Sequence, residues 1–311
     1  MATQCDVVIA GGGIAGLTAG VTAARLGRKT LILTGDVPGG QLISIDKIEG
    51  YPGFPEGIPG YDLCPMLQEQ ATAAGVEFMM TGLERLDGQD GQWRVTTGEG
   101  DILARAVIVA TGSSLKKLDV PGEQRLAGSG VSQCASCDAP LLLDRIVAVV
   151  GGGDSAMQEA LTLAAFASKV IILHRGDALT GQACYRDRVT AHRKIDIRFD
   201  TAVTEILGEA KVTGLRTRQS RDGAVADLEV AAIFAYVGLQ PNTALLQGRL
   251  NLDPAGRIPI DGWMRSELVG VCAAGTVTSQ SPCRAVSAAG DGASAAVTLD
   301  RYLTDGAWRG G

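Results

Sequence analysis

The strongest constraint in this chain is a glycine-rich segment that occurs twice, with the two copies 140 positions apart. Each copy contains a short apolar strand, a turn with the spacing G-x-G-x-x-G/A, an alanine-rich helix and a second apolar strand. The first copy spans residues 6–34 and the second spans residues 146–174. A strand, a helix and a second strand in this order predict a βαβ unit with parallel strands. The chain is therefore predicted to be α/β.

The glycine spacing has a specific physical use at a nucleotide site. The first glycine permits a tight turn, the second lets the backbone approach a pyrophosphate, and the third small residue lets the helix pack on the strand. The pyrophosphate then lies at the helix N-terminus, where free N–H groups and the helix dipole favour negative charge. The candidate residues are Gly11, Gly13, Ile14, Ala15 and Gly16 in the first copy, and Gly151, Gly153, Asp154, Ser155 and Ala156 in the second. One such turn is weak evidence, but two copies predict two dinucleotide sites, commonly for a flavin and a nicotinamide.

Two further segments indicate how the domains are connected. Residues 106–112 and 271–276 are each an apolar strand that ends in a glycine turn. If both strands return to the first βαβ unit, the first domain is split in sequence and the second is inserted into it. We therefore predict two Rossmann-like, three-layer nucleotide-binding domains. The first would comprise residues 1–114 and 242–311, and the inserted domain residues 115–241.

Composition excludes several classes of protein. A net charge of −6 and an aromatic content of 4% do not indicate a surface that binds nucleic acid or an anionic membrane. With only His174 and His192, and no second Cys pair, no metal site is predicted. The start of the chain lacks a basic region, and no apolar run of about eighteen residues occurs, so a cytoplasmic protein without a membrane span is predicted. Its seven cysteines are expected to be reduced thiols with at most one working pair.

The chemistry of the chain is predicted at Cys134, Cys137 and the adjacent Asp138. A C-x-x-C pair can hold half a zinc site, lie idle in a core, or cycle between dithiol and disulfide. The redox interpretation fits best, because a dithiol carries two electrons and thus matches a flavin. Asp138 then provides an acid–base group for a cysteine sulfur or, alternatively, caps a helix or turn.

Taken together, these segments resemble the low-molecular-weight thioredoxin reductase family over nearly the whole chain. The matching segments are Gly39-Gly-Gln-Leu42, Tyr51-Pro-Gly-Phe-Pro-Glu-Gly57, Cys134-Ala-Ser-Cys-Asp138, Gly151-Gly-Gly-Asp-Ser-Ala-Met157 and Gly238-Leu-Gln-Pro-Asn-Thr243. The resemblance implies an FAD domain and an inserted domain that carries both the redox pair and an NADPH site. It also implies that the inserted domain rotates, that the enzyme is a homodimer, and that thioredoxin is the partner. The implied FAD contacts are Gly11, Gly13, Ile14, Ala15, Gly16, Gln41, Thr111, Gly112, Gly275, Thr276, Arg284 and Ala285.

The chain departs from this family where NADPH would be recognised. The family has His-Arg-Arg after the second strand and another arginine four residues later, whereas here His174 and Arg175 are followed by Gly176, Asp177 and Thr180. Two guanidinium groups are missing and one carboxylate is added, so NADPH binding is expected to be weakened. A compensating cation would have to come from Arg186 or Arg188.

A second set of departures lies on the flavin side. Thr276 stands where the family has an aspartate, and Cys283-Arg284-Ala285 stands where the family has Arg-Gln-Ala. An inert thiol is favoured for Cys283 over a spare redox group. For Trp308 in the tail, packing on its own helix is favoured over stacking on a flavin.

Three functions follow from these features. The favoured one is a reductase that passes electrons from FAD through the cysteine pair to a thioredoxin-like protein, with NADPH or a ferredoxin-like carrier as donor. The second is a dithiol oxidase that passes electrons from a small dithiol metabolite to oxygen. The third, a non-enzymatic nucleotide sensor, is disfavoured by the intact C-x-x-C-Asp.

Overall fold

The structure is a computed structural model that describes residues 3–308, and it divides the chain into two units. The first unit contains the chain up to Ser114 and again from Gln240 onward, and the second unit contains Leu115–Leu239. The chain thus returns to the first unit two residues earlier than the boundary expected from the sequence.

The described residues form seventeen strands and six α-helices. The strands are β1 (Thr3–Ala10), β2 (Thr30–Leu33), β3 (Glu77–Met79), β4 (Arg85–Gln89), β5 (Gln92–Thr97), β6 (Gly100–Val109), β7 (Ser113–Leu115), β8 (Val131–Ser132), β9 (Ile146–Val150), β10 (Lys169–Leu173), β11 (Ile195–Arg198), β12 (Thr201–Leu207), β13 (Gly214–Gln219), β14 (Val225–Glu229), β15 (Ala232–Ala235), β16 (Leu239–Pro241) and β17 (Val271–Ala273). The helices are α1 (Ile14–Arg25), α2 (Gly60–Ala73), α3 (Ala135–Asp138), α4 (Asp154–Ala164), α5 (Ala183–Ala191) and α6 (Ala285–Asp305). The segments that cross between the units, β7 and β16, pair as a two-stranded sheet.

The first unit is built on a seven-stranded sheet in the order β3-β2-β1-β6-β5-β4, with β17 paired to β6. Strands β1, β2, β3, β6 and β17 are parallel, which confirms the first predicted βαβ unit. Helices α1 and α6 pack closely, since a Cβ added at Gly292 would lie 2.1 Å from the carbonyl oxygen of Ala15. Trp308 packs edge to face on Tyr302 of α6, with ring centroids 5.3 Å apart, as the sequence favoured.

The second unit has a parallel five-stranded sheet in the order β11-β10-β9-β15-β8 and an antiparallel three-stranded sheet of β12, β13 and β14. Its β9-α4-β10 segment is the second predicted βαβ unit, with Val147–Val150 of β9 buried between parallel neighbours. The predicted α/β fold class is confirmed. Within residues 3–308, none of the helices is both long enough and apolar enough to cross a membrane.

Candidate active site

The first glycine turn, between β1 and α1, has the geometry that the spacing predicts. Gly11 has φ 125°, and a Cβ there would lie 2.1 Å from the carbonyl oxygen of Ala110. A Cβ at Gly16 would lie 1.8 Å from the carbonyl oxygen of Gly11, so helix and strand are in contact through backbone alone. Glycine is therefore required at both positions.

The N-terminus of α1 fits the pyrophosphate of FAD. Its first turn contains no acidic residue, and no side chain caps it at Gly13, so the N–H groups there keep their donor capacity. A Cβ at Gly13 would have only the Cα of Gly40 within 4.0 Å, which leaves space beside the turn. Gly39 donates its N–H to the carbonyl oxygen of Gly12 at 3.0 Å and so holds the 39–44 segment beside this helix end.

Several other predicted FAD residues lie around this helix end. Gly275 has φ 81°, and its Cβ position is 3.1 Å from the Cβ of Ala15. Gly112 has φ 67°, and its Cβ position is 3.7 Å from Oγ1 of Thr276. Gln41 donates its side-chain amide to the carbonyl oxygen of Ser113.

The remaining predicted FAD residues are Thr111, which is hydrogen-bonded to the segment that returns to the first unit, and two residues at the start of α6. Thr111 donates its hydroxyl to the carbonyl oxygen of Asn242 at 2.9 Å, and the Asn242 amide donates back to the carbonyl oxygen of Thr111 at 2.9 Å. Arg284 and Ala285 begin α6. The role of Asn242 was missed from the sequence, although the Pro-Asn-Thr segment was noted as a family feature.

A second residue missed from the sequence is Asp291, in the interior of α6. Its carboxylate accepts the N–H of Gly275 at 3.1 Å, and burial raises its pKa. Thr276 stands where the family has an aspartate, yet the Asp291 carboxylate binds the backbone N–H of the adjacent Gly275. The only signal in the sequence is an acidic residue between two glycines in the alanine-rich first half of the helix.

Cys283 lies at a strained turn before α6. Its φ is 55°, in the left-handed region, and its sulfur is 3.7 Å from a guanidinium nitrogen of Arg257. The thiol is exposed. Nothing in these contacts assigns it a redox role.

The cysteine pair is a disulfide between Cys134 and Cys137, with the two Cα atoms 5.4 Å apart. Cys134 is the N-cap of α3, and its sulfur accepts the N–H of Cys137 at 3.3 Å. Cys137 is exposed, Cys134 is half-buried, and Asp138 ends the same short helix. The arrangement places one sulfur where another protein can reach it.

The five cysteines outside the pair are free thiols, which confirms the expectation of at most one pair. Cys184 and Cys283 are exposed, whereas Cys5, Cys64 and Cys272 are buried. Burial raises the pKa of Cys64 to about 11 and that of Cys272 well above its ordinary value. Because the thiolate is the reactive form, both should be inert in the folded protein.

We predict a stepwise count of reactive thiols. The native oxidised protein should react at two thiols with an aromatic disulfide reagent, and the reduced native protein at four. All seven should react after reduction and unfolding, since only unfolding exposes the buried three. The absorbance of the released thiolate measures each step, and Cys184→Ser/Cys283→Ser should remove the first step alone. A third fast thiol in the oxidised parent would contradict the burial described above.

The second glycine turn, between β9 and α4, has the same backbone geometry as the first. Gly151 has φ 142°, and its Cβ position is 2.3 Å from the carbonyl oxygen of Tyr236. Gly153 has no atom within 4 Å of its Cβ position. Ala156, in the third small position, is fully buried. The backbone of a dinucleotide site is therefore formed in the second unit as well.

The surroundings of the second turn differ from those of the first. Asp154 puts a carboxylate in the first turn of α4, where it accepts the N–H of Gln182 at 2.6 Å. Thr180 donates its N–H to the carbonyl oxygen of Gly152 at 2.8 Å. The loop that follows β10 is thus fastened onto the glycine turn, with negative charge at a helix end that would have to receive a pyrophosphate.

The predicted NADPH-recognition residues are only partly brought together. The imidazole of His174 lies against the turn, because a Cβ at Gly152 would be 2.5 Å from its Nδ1. Arg175 follows it and is exposed. Arg188, considered as a replacement cation, has its guanidinium carbon 5.5 Å from the ring centroid of Tyr185 on its own helix. Arg186 lies exposed on the same helix, and no contact places it at the turn.

Comparison with known proteins shows which family the chain is similar to. Residues 5–292 match the family model described as pyridine nucleotide-disulphide oxidoreductase. A thioredoxin reductase of Mycolicibacterium smegmatis is 38% identical over 304 residues, which is 97% of this chain and 98% of the relative. The crystal structure of Lactococcus lactis thioredoxin reductase matches with a TM-score of 0.94 at 34% identity, covering 97% of this chain and 99% of that one. A ferredoxin-flavin thioredoxin reductase from Clostridium acetobutylicum matches with a TM-score of 0.53 at 27% identity, covering 97% and 99%.

Proposed function

Because the chain belongs to the pyridine nucleotide-disulphide oxidoreductase family and, within it, to the thioredoxin reductases, we propose that it reduces a thioredoxin-like protein through Cys134 and Cys137. It is an FAD-dependent disulfide oxidoreductase, as its relatives imply. The observation that carries the proposal is the disulfide in the second unit, with one sulfur exposed beside Asp138. We further propose a cytoplasmic homodimer, and five free thiols support a reducing compartment.

In the proposed exchange, the enzyme's dithiol is oxidised to a disulfide while the partner's disulfide is reduced to a dithiol. In the reduced enzyme, the thiolate of one cysteine attacks a sulfur of the partner's disulfide, which forms a mixed disulfide and releases one partner thiolate. The second cysteine then attacks the mixed disulfide, restores the Cys134–Cys137 bond and releases the second partner thiolate. Two electrons move to the partner, and Asp138 is the proposed acid–base group for the thiol proton.

FAD is proposed to bind at the first glycine turn. Gly11, Gly13 and Gly16 shape the turn, and the uncapped N-terminus of α1 offers its N–H groups to the pyrophosphate. The 39–44 segment and Gly275 lie beside that helix end. Bound there, FAD supplies a carrier for the two electrons that the cysteine pair needs.

For the electron donor, we propose a one-electron carrier of the ferredoxin type rather than NADPH. A 2′-phosphate is normally held by forked contacts from arginine guanidinium groups. Here Gly176 and Thr180 stand where the family has arginines, and Arg175 is the cation adjacent to the turn. Asp154 and Asp177 add negative charge to the same loop cluster. One structural neighbour is a ferredoxin-flavin thioredoxin reductase, which supports such a donor. NADPH is the second candidate, and the well-formed backbone of the second glycine turn favours it.

The donor experiment is anaerobic and uses the purified holoenzyme. We expect no loss of flavin absorbance with NADPH or NADH, and rapid loss with reduced ferredoxin, followed by reduction of added thioredoxin. Rapid bleaching by NADPH with thioredoxin reduction would overturn the proposed donor and leave the reductase in place. Rapid bleaching by a small dithiol, followed by prompt reoxidation in air without thioredoxin reduction, would overturn the reductase in favour of the oxidase.

A partner protein could dock on apolar side chains that follow α3. This short helix, Ala135–Asp138, contains Cys137 and is called the redox helix below. Leu141 is 81% exposed and Leu143 is 62% exposed, and both follow α3 within a few residues. Exposed apolar side chains that lie together on a surface are a typical place for a protein contact. The partner is therefore proposed to cover this segment when it meets Cys137.

We predict that Leu141→Glu weakens partner reduction without affecting the chemistry of the pair. Placing a charge against an apolar partner surface should raise the KM for thioredoxin about tenfold, because the leucine loses its burial and the charge is desolvated. Turnover of a small aromatic disulfide by the same pre-reduced enzyme should stay unchanged. Leu26→Glu, at an exposed leucine of the first unit, is the matched control. Equal losses with both disulfides would show that the segment does not dock a protein.

A further inference from the structure

A buried carboxylate lies directly behind the redox helix. Glu159 belongs to α4, the helix that begins at the second glycine turn, and its exposed fraction is 6%. Glutamate is almost never buried to this degree unless its carboxylate is engaged. Its neighbours on α4, such as Ala156, Met157 and Ala160, are fully buried core residues. The position therefore places a carboxylate in a core that would otherwise be apolar.

One group that this carboxylate engages is the first backbone N–H of α3. Oε2 of Glu159 accepts the N–H of Ala135 at 3.1 Å, and Ala135 is fully buried at the first position of α3. Cys134 is the preceding residue and the N-cap of that helix. Glu159 thus accepts one of the N-terminal N–H donors of α3, while the sulfur of Cys134 accepts another, from Cys137.

Tyr236 is a titratable neighbour of this carboxylate, and Asp138 is near enough to Tyr236 to affect its pKa. Burial raises the pKa of Tyr236, and the neighbouring charge of Glu159 raises it further, with a smaller contribution from Asp138. Tyr236 is therefore neutral across the range in which thiols titrate. Two carboxylates thus belong to the helices at the pair: Glu159 lies in α4, and Asp138 ends α3.

We propose that Glu159 is a positioning residue that keeps the Cys134–Cys137 pair strongly reducing. A helix N-terminus normally stabilises a thiolate at its N-cap and so makes a dithiol easier to form. The Glu159 carboxylate opposes this effect, because it adds a negative charge in a poorly solvated place next to the residue that follows Cys134. A dithiol whose thiolate is less stabilised gives up its two electrons more readily to the partner's disulfide. This inference rests on the redox function proposed for the pair.

The test is the equilibrium between the holoenzyme's pair and dithiothreitol, measured by trapping Cys134 and Cys137 with an alkylating reagent. In this exchange the pair gains two electrons and two protons, and dithiothreitol becomes its cyclic disulfide. Glu159→Gln keeps an acceptor for Ala135 and removes the charge. Its equilibrium should shift toward the dithiol by about fivefold to tenfold at pH 9, as expected if the thiol pKa falls by about one unit. The shift should vanish at pH 6, where both thiols are protonated in either enzyme.

Controls distinguish this effect from altered folding. Glu229→Gln, at an exposed glutamate of β14, should behave as the parent at both pH values. Glu159→Asp keeps the charge and should stay within about twofold of the parent at pH 9. The parent enzyme gives a check that needs no variant. The measured pKa of its reactive thiol should be at or above about 8.5, although Cys134 is a helix N-cap.

A Glu159→Gln equilibrium equal to that of the parent at pH 9, or a parent thiol that titrates below 7, would overturn the inference. An equal shift at pH 6 and pH 9 would overturn it too, because it would indicate altered packing. If the parent pair does not exchange with dithiothreitol at all, the proposed reductase function fails together with the inference. Exchange without the predicted shift removes the inference alone.

Discussion

Replacing either Cys134 or Cys137 by serine is expected to reduce thioredoxin reduction by at least about a thousandfold while FAD remains bound. Serine cannot form the mixed disulfide or close the internal one, so no slower version of the same exchange remains. FAD retention should be unaffected, because the glycine turn that is proposed to hold it lies in the other unit. The assay is a single turnover: enzyme reduced with stoichiometric dithionite is mixed with oxidised thioredoxin, and the new thiols are counted.

The matched control is Cys184→Ser, which removes an exposed thiol of the same unit that is outside the pair. It should deliver the same number of thiols as the parent at the same rate. Direct electron transfer to ferricyanide should persist in all three variants, since a one-electron acceptor does not need the dithiol. A Cys137→Ser enzyme that reduces thioredoxin within tenfold of the parent would exclude the pair as the route.

Adding two arginines where the second glycine turn lacks cations is expected to produce tight NADPH binding. Each charge-assisted contact with the 2′-phosphate contributes about 1.5–3 kcal/mol, so Gly176→Arg/Thr180→Arg should lower the Kd for NADPH by about two to four powers of ten. The backbone accepts both changes. Gly176 is not in the left-handed region, although its new Cβ would lie 2.9 Å from Nε2 of His174 and would displace that ring slightly. Thr180 is exposed, and the bond from its backbone N–H to Gly152 would remain, whereas the longer bond from its hydroxyl to the same carbonyl oxygen would be lost.

Binding is measured by titrating the oxidised enzyme with NADPH and, in parallel, with NADH. NADH affinity should change little, because it lacks the phosphate that the new arginines would contact. Ser220→Arg/Ala224→Arg adds the same charge at exposed positions of the same unit and should leave both affinities near the parent values. Equal gains for NADPH in the two double variants would show a general charge effect. An unchanged Kd in the first would show that missing arginines are not what weakens the site.

The glycine turns could be predicted because their requirements are local. Gly11 and Gly151 adopt φ values that other residues rarely adopt, and Gly16 lies where any side chain would overlap a carbonyl oxygen. A backbone requirement of this kind leaves its mark in a few consecutive residues. The same holds for Cys134 and Cys137, since a separation of three residues brings two sulfurs together within one helical turn. Both predicted βαβ units and the predicted cysteine pair are present in the structure.

Asp291 and Glu159 could not be predicted, because the groups they bind are distant in sequence. Asp291 contacts the backbone of Gly275, 16 residues away, and Glu159 contacts Ala135, 24 residues away. A carboxylate in an amphipathic helix carries no sign, in the neighbouring residues, of the N–H group that it will contact. Likewise the sequence identified Asp154 only as part of a glycine turn, whereas the loop after β10 engages it through Gln182.

The sequence alone thus determined the fold class, the two nucleotide turns and the cysteine pair, because each depends on the conformations of neighbouring residues. The tertiary structure decided which polar groups surround those turns and that pair. It placed the Asp291 carboxylate at the N–H of Gly275 and the Glu159 carboxylate at the N–H of Ala135. It also placed the loop after β10 on the second glycine turn. These contacts depend on how helices and strands pack, and packing joins residues whose separation in the chain conceals their proximity.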